Sequence, residues 1–126
     1  RHWESTHEFD DMAHVEAHYF QNGGHFLVVL DDDKVIGSGA IRKFDEGTAE
    51  LKRMWLLEEY HGKGIGYQVI GQLFEFARSK RYKRVILQTS PEQTRAIAFY
   101  QRLGFREIEC YNGKTDEISM ALDLQE

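Results

Sequence analysis

Six consecutive residues near the middle of the chain, His61-Gly62-Lys63-Gly64-Ile65-Gly66, have the types and spacing of an anion-binding loop. They stand between a segment that reads as a strand and one that reads as a helix. A helix start leaves about four backbone N–H groups unpaired. A Ser, Thr, Asp or Asn side chain ordinarily caps them, and none lies between Glu59 and Gln68. Three glycines also remove the side chains that would hold a ligand away from the backbone. Such a start, with the charge of Lys63 added, suits a phosphate. A plain flexible turn is the bland alternative, and the missing cap argues against it. A Walker loop is excluded because Gly64 follows Lys63 where Ser or Thr is required. A dinucleotide fingerprint is excluded because the third glycine comes one residue early and the next strand ends in Gln88-Thr89 without an acid.

Other groupings carry less. Asp11, His14 and His18 would share one face of a helix and could bind a metal, but no fourth ligand is indicated and the order is not His-Glu-x-x-His. A solvated polar face is the better reading, and no metal is expected. Glu16 falls inside an apolar stripe, where it could meet a cationic amine, although an edge-of-face glutamate explains it as well. Lys80, Arg81, Lys83 and Arg84 form a basic run that favours a helix C-terminus, with the 3′-phosphate of a coenzyme as a weaker alternative. Cys110, the only cysteine, reads as a buried strand residue. A single cysteine excludes an intrachain disulfide, so a reducing, cytoplasmic compartment is expected.

These residues need a scaffold, and 126 residues supply one domain, 1–126. Hydrophobic residues are 41% and charged residues 29%, an ordinary globular balance. No apolar run approaches a membrane span. Sixteen basic and twenty-one acidic residues leave a net charge of −5, which argues against nucleic acid as the main partner. Residues 1–50 carry a net −7 and residues 51–126 a net +2. The second part therefore receives a small anion better, and the acidic first part weakly favours a cationic ligand. The chain opens on Arg1 without a methionine or a signal-peptide pattern, and a trimmed N-terminus is expected.

Asp10–Phe20 reads as an amphipathic helix, with Phe9, Met12, Ala13, Tyr19 and Phe20 on one face. His25–Leu30, Val35–Arg42 and Thr48–Leu57 read as antiparallel strands. Ile65–Ser79 then takes helical spacing, with Ile65, Val69, Leu73 and Phe76 on one stripe. Arg84–Thr89 is a short apolar strand, so strand, helix and strand imply a crossover and a parallel pair. Thr94–Leu103 is a second helix stopped by Gly104. Arg106–Tyr111 and Glu117–Leu122 read as the last strands, turned at Asn112-Gly113. The fold class is a mixed α/β sheet, antiparallel first and parallel at its centre, flanked by helices.

Two segments together resemble the GNAT superfamily of acyl-CoA-dependent N-acetyltransferases. One is His61-Gly62-Lys63-Gly64-Ile65-Gly66, similar to the family's Gln/Arg-x-x-Gly-x-Gly/Ala. The other is Ala96-Ile97-Ala98-Phe99-Tyr100-Gln101-Arg102-Leu103-Gly104-Phe105, similar to its Ala-Ile-x-Phe-Tyr-x-x-x-Gly-Phe. The strand Glu50–Leu56 also follows the family pattern, and the likeness covers about residues 9–122. It implies that the strands flanking the glycine loop splay to admit a pantetheine arm. The backbone of Met54, Trp55 and Leu56 would pair with that arm. The amides of Gly62, Lys63, Gly64, Ile65, Gly66 and Tyr67 would hold the pyrophosphate.

Three departures accompany the likeness. His61 replaces Gln or Arg, which implies modestly weaker coenzyme binding through one imidazole donor. Gln93 stands where the family has Asn, and Ser90-Pro91-Glu92-Gln93 also reads as a capping box. The family's first strand is expected to be missing.

Acetylating an amine requires removing a proton from an ammonium of pKa near 10, placing the carbonyl, and protonating a thiolate. Glu50, fourteen residues before Gly64, has the position of the family's strand glutamate and is the candidate base. Its alternative is a surface carboxylate paired with Lys52 or Arg53. It is expected to share a strand face with Lys52, Met54 and Leu56. Amides near Met54 or Leu56 could polarise the carbonyl. Tyr100 reads by spacing as a core aromatic, and the resemblance makes it the candidate acid. The implied activity is direct transfer from acetyl-CoA to a primary amine in a ternary complex. The alternative is a non-catalytic acyl-CoA sensor. The last two strands could pair across a homodimer.

Overall fold

The computed structural model describes residues 24–124 in full and the backbone of residues 2–8 and 13–20. Eight strands form one sheet: β1 (His2–Glu8), β2 (Ala13–Phe20), β3 (Gly24–Asp31), β4 (Lys34–Asp45), β5 (Thr48–Leu56), β6 (Arg84–Thr89), β7 (Arg106–Ile108) and β8 (Ile118–Asp123). Their order is β1-β2-β3-β4-β5-β6-β8-β7. Helices α1 (Ile65–Ser79) and α2 (Thr94–Leu103) follow β5 and β6. Only β5 and β6 run parallel, as the α1 crossover requires. This is the mixed sheet expected from the sequence.

α1 lies on one face of the sheet. Its Val69, Ile70, Leu73 and Ala77 join Leu27 and Val29 of β3, Ile41 of β4 and Leu51 of β5 in one buried cluster. Each of these Val, Leu and Ile side chains stabilises the fold by about 1.5–3 kcal/mol when fully buried. β3 alternates accordingly, with His25, Leu27 and Val29 buried and their neighbours half-buried. His25 stacks flat on Phe76 of α1, ring centroids 4.4 Å apart. α2 sits beside α1, with Phe99 against Tyr67 at 4.9 Å and Phe105 near Phe74 at 6.1 Å. Gly104, left-handed at φ +107°, closes α2, and the Phe105 N–H reaches the Tyr100 carbonyl at 3.0 Å.

The helix expected over Asp10–Phe20 is a correction. Residues 13–20 form strand β2, paired along its whole length from Ala13↔Asp31 to Phe20↔Gly24. Residues 9–12, with Phe9, Asp11 and Met12, lie outside the described residues. The sequence Ala-His-Val-Glu-Ala-His-Tyr alternates as well as it repeats at helical spacing, and pairing with β3 and β1 decides between the two. His14 and His18 therefore do not stack on a helix face, and Glu16 sits opposite Val28 in a strand. The last strands are shorter or shifted relative to expectation. β7 ends at Ile108, so Cys110 is a half-buried residue beyond it and not a buried strand residue.

β4 and β5 are joined by a register shift that places one extra residue on β5. Ser38 pairs with Trp55 and Ala40 with Lys52. Arg53 within this bulge is left-handed at φ +58°. The shift brings Met54 onto Gly39, where a Cβ would meet Met54 Sδ at 2.6 Å, Val69 Cγ1 at 2.9 Å and Leu73 Cδ1 at 3.1 Å. Gly39→Ala is expected to destabilise the fold by about 1–3 kcal/mol through overpacking, read as a lowered urea midpoint. An unchanged midpoint would show that α1 can lift off the bulge at no cost.

Candidate active site

β5 and β6 pair over only three residues, Thr48–Glu50 with Arg84–Ile86. Beyond them β5 stays with β4 as far as Leu56, while β6 follows β8 as far as Thr89. The strands part, and the edge of β5 past Glu50 is left without a strand partner. A cleft of about 330 Å³ fills the gap. Leu51–Met54 line one wall and Leu87–Ser90 the other, with Glu50, Gln93 and Tyr100 facing the same space.

Glu50 is 4% exposed. Its register partner Arg42 donates from Nε and from Nη2 to Oε1, both at 2.9 Å. The two donors fill the lone pairs of that oxygen. The Tyr111 hydroxyl donates to Oε2 at 2.7 Å, leaving one lone pair on Oε2. Burial, then the bond to Glu50, pushes the Tyr111 phenol well above its ordinary range. Lys52 and Arg53 are not the partners of Glu50. The bulge also overturns the expected common face. Met54 packs toward α1 with Val69 and Leu73, whereas Glu50 and Arg42 lie on the opposite side.

Tyr111 is held by its own loop. The side-chain amides of Gln88 and Asn112 bond reciprocally, at 2.8 and 2.9 Å, and Gln88 Nε2 also reaches Ser119 Oγ at 3.0 Å. The segment between β7 and β8 is thereby tied to the end of β6, and its Lys114 and Glu117 reach the cleft.

Tyr100 enters the cleft from the helix side. It is 7% exposed, and burial pushes its phenol up to about 12. The hydroxyl therefore stays protonated through the neutral range.

The glycine loop is as the missing cap suggests. Gly64 is the N-cap of α1 at φ +82°, a conformation that side chains resist, and no side chain caps the helix. The first helical bond runs from the Gln68 N–H to the Gly64 carbonyl at 3.2 Å. The amides of Ile65, Gly66 and Tyr67 are those a helix start leaves unpaired.

His61 differs from expectation. Its Nε2 lies 2.8 Å from the Leu56 carbonyl and must donate to it, and Nδ1 is buried without a partner among the described residues. The imidazole donor expected to reach phosphate is spent on the end of β5. The capping box at Ser90–Gln93 does not form. The segment is a turn in which the Gln93 N–H reaches the Ser90 carbonyl at 3.0 Å, and Gln93 is the N-cap of α2 without a side-chain cap. Trp55 is largely exposed, while Met54 and Leu56 are half-buried at the parted edge. The basic run at Lys80–Arg84 lies at the other end of α1, about 22 Å from the glycine loop by helix rise.

The fold thus brings together Glu50, Met54, Gln93 and Tyr100 around one cleft, with the glycine loop at the α1 start. Sequence reasoning missed Arg42 and Tyr111. Arg42 had a signal, since Arg42 and Glu50 are equidistant from Glu46 at the hairpin turn. Tyr111 had none, being 61 residues from Glu50.

The Acetyltransferase (GNAT) family profile matches residues 1–105. The chain belongs to this family. It is 33% identical over 112 residues to N-acetylaspartate synthetase of Danio rerio, covering 87% of this chain and 38% of that protein. It therefore spans well under half of that relative. An acetyltransferase from Streptococcus agalactiae superposes with a TM-score of 0.76 at 27% identity, over 82% of this chain and 68% of that one. A GNAT family acetyltransferase from Elizabethkingia anophelis, solved with acetyl-CoA bound, shares the fold with a TM-score of 0.73 at 20% identity, over 91% of this chain and all of that one.

The raised Tyr100 phenol makes a checkable statement about alkali. A neutral phenol favoured by folding stabilises the protein fully below about pH 10, the ordinary tyrosine value. That contribution is lost as pH rises through about 12. In a tyrosinate absorbance titration, Tyr100→Phe should remove one phenol that ionises near 12. Loss of a phenol ionising near 10 would contradict the burial argument.

Proposed function

We propose that the chain is the acetyltransferase domain of an acetyl-CoA-dependent N-acetyltransferase, acting by direct transfer to a primary amine in a ternary complex. The observation that carries the reading is the parting of β5 and β6 immediately after a buried carboxylate. Family membership and the acetyl-CoA-bound neighbour support acetyl-CoA as the donor. The name of the zebrafish relative supports an amine as acceptor.

In this reading the pantetheine arm lies along the unpaired edge of β5 at Met54, Trp55 and Leu56, as an added strand would. Its pyrophosphate takes the amides of Gly62–Tyr67, with Lys63 adding charge and Gln93 lining the acyl end. Because His61 is committed to Leu56, it holds the strand end and does not contact phosphate. Glu50 accepts the proton of the incoming ammonium at the remaining lone pair of Oε2. The freed amine attacks the thioester carbonyl, which amides at the bulge near Met54 polarise. The tetrahedral intermediate then expels the thiolate, which takes the Tyr100 proton; the amide nitrogen gives up its second proton to restore the Tyr100 phenol, and Glu50 releases the first to solvent. The two groups reach the cleft from opposite sides, so the acceptor and the coenzyme need not cross. No helix of the described residues is long and apolar enough to cross a membrane.

Calorimetric titration should give micromolar binding of acetyl-CoA and CoA and no signal with NAD. Glu50→Gln with Tyr100→Phe should cut turnover by about 10²–10⁴-fold while leaving coenzyme affinity nearly intact. Unchanged turnover would overturn the residue roles. Coenzyme binding without thiol release from any amine would favour an acyl-CoA sensor.

A further inference from the structure

A second and larger cavity, about 890 Å³, lies beside the cleft. Phe26, Ala40, Arg42 and Phe44 contribute to it, and Arg53 lines both spaces. Its described lining includes three cations, Arg42, Lys43 and Arg53, and no acid.

Two of the cations are already engaged. Arg42 spends Nε and Nη2 on Glu50, and Lys43 pairs with Glu46 at 3.0 Å. Arg53 makes no side-chain hydrogen bond or ion pair among the described residues. It is nevertheless the residue the backbone goes out of its way to place. It occupies the bulge at φ +58°, where Gly or Asn would be easier, and the buried Ser38 hydroxyl holds its carbonyl at 2.7 Å. A bulge re-aims a side chain, and this one aims an unpaired guanidinium at the junction of the acceptor side and the cleft.

We infer that the acceptor is a primary amine bearing a carboxylate, and that Arg53 is the residue that selects it. The inference rests on the acetyltransferase reading above. A guanidinium fork matches a carboxylate in two parallel hydrogen bonds. An amino acid seated this way directs its carboxylate to Arg53 and its ammonium to Glu50 across the same junction. A polyamine would meet the Arg53 guanidinium, which repels it and offers it no acceptor. Of the described acids, the Asp31–Asp33 run stands away from this cavity. Asp31–Asp33 belong to the β3–β4 turn, at the other end of the hairpin from Arg42.

The test is thiol release from acetyl-CoA with aspartate, alanine, alaninamide and spermidine. The two acids should exceed alaninamide and spermidine at least tenfold in kcat/KM. Arg53→Gln should lower that preference at least tenfold, mainly through the acceptor KM, with coenzyme affinity by calorimetry within twofold of the parent. Arg53→Lys should restore part of the preference. Arg53→Gly, which relieves the left-handed backbone, should fold well and lose the preference as the Gln variant does. Thiol release that is equal or better with alaninamide or spermidine, or a preference unmoved in the Gln and Gly variants, would overturn the inference and leave the acetyltransferase reading standing. No thiol release with any of the four amines, despite coenzyme binding, would overturn the inference, and its absence across every amine class would overturn the acetyltransferase reading as well.

Discussion

A strand with one edge unpaired must either meet solvent or find a ligand, and β5 past Glu50 is such an edge. β4 occupies its other side as far as Leu56, while β6 is drawn away by six residue pairs with β8. Three parallel pairs cannot hold the two strands together against that pull. The cleft is therefore a consequence of how the sheet shares its hydrogen bonds. Everything the site needs is arranged around this parting: the glycine loop follows β5, α2 follows β6, and the segment before β8 closes over the gap.

Burying a carboxylate in such a place is costly unless it is hydrogen-bonded and paired. The structure meets that demand asymmetrically. Arg42 saturates one oxygen of Glu50 and Tyr111 takes half of the other. Removing either partner would leave a buried charge short of donors, which is worse than never having buried it. The Gln88–Asn112 amide pair belongs to the same logic, since it keeps the Tyr111 segment on the site. Tyr100 has the opposite problem. Its burial favours the neutral phenol, so it faces the cleft as a protonated hydroxyl.

The bulge at Arg53 links these features. It reverses the parity of β5, so that Met54 joins the core under α1 while Glu50 stays with Arg42 on the opposite face. Gly37 and Gly39 accommodate it, each with atoms closer than 3 Å to where a Cβ would stand. A regular strand would have kept Glu50, Lys52, Met54 and Leu56 on one face, and would have left no left-handed arginine between the cleft and the larger cavity.

Much of this was legible in the residues themselves because it is local. α1, β6 and α2 fall on the expected residues, since fifteen and ten residues of helical spacing with glycine punctuation leave few alternatives. The uncapped helix start at Gly64 was readable from the absence of Ser, Thr, Asp and Asn over the eight positions between Glu59 and Gln68. What failed was decided by partners distant in the chain. Residues 13–20 carry a pattern compatible with either period, and β3 settles it. His61 could not be known to face Leu56 before the 3₁₀ turn at Glu58–Tyr60 folded back. Tyr111 reaches Glu50 across 61 residues. Sequence alone determined α1, β6, α2, the uncapped glycine start of α1 and the family, because backbone preference and short-range spacing act within a few residues. Tertiary structure alone decided the partners of the buried carboxylate, the parity of β5 and the placing of Arg53 between two cavities, because hydrogen bonds and charge compensation inside a fold depend on which surfaces meet.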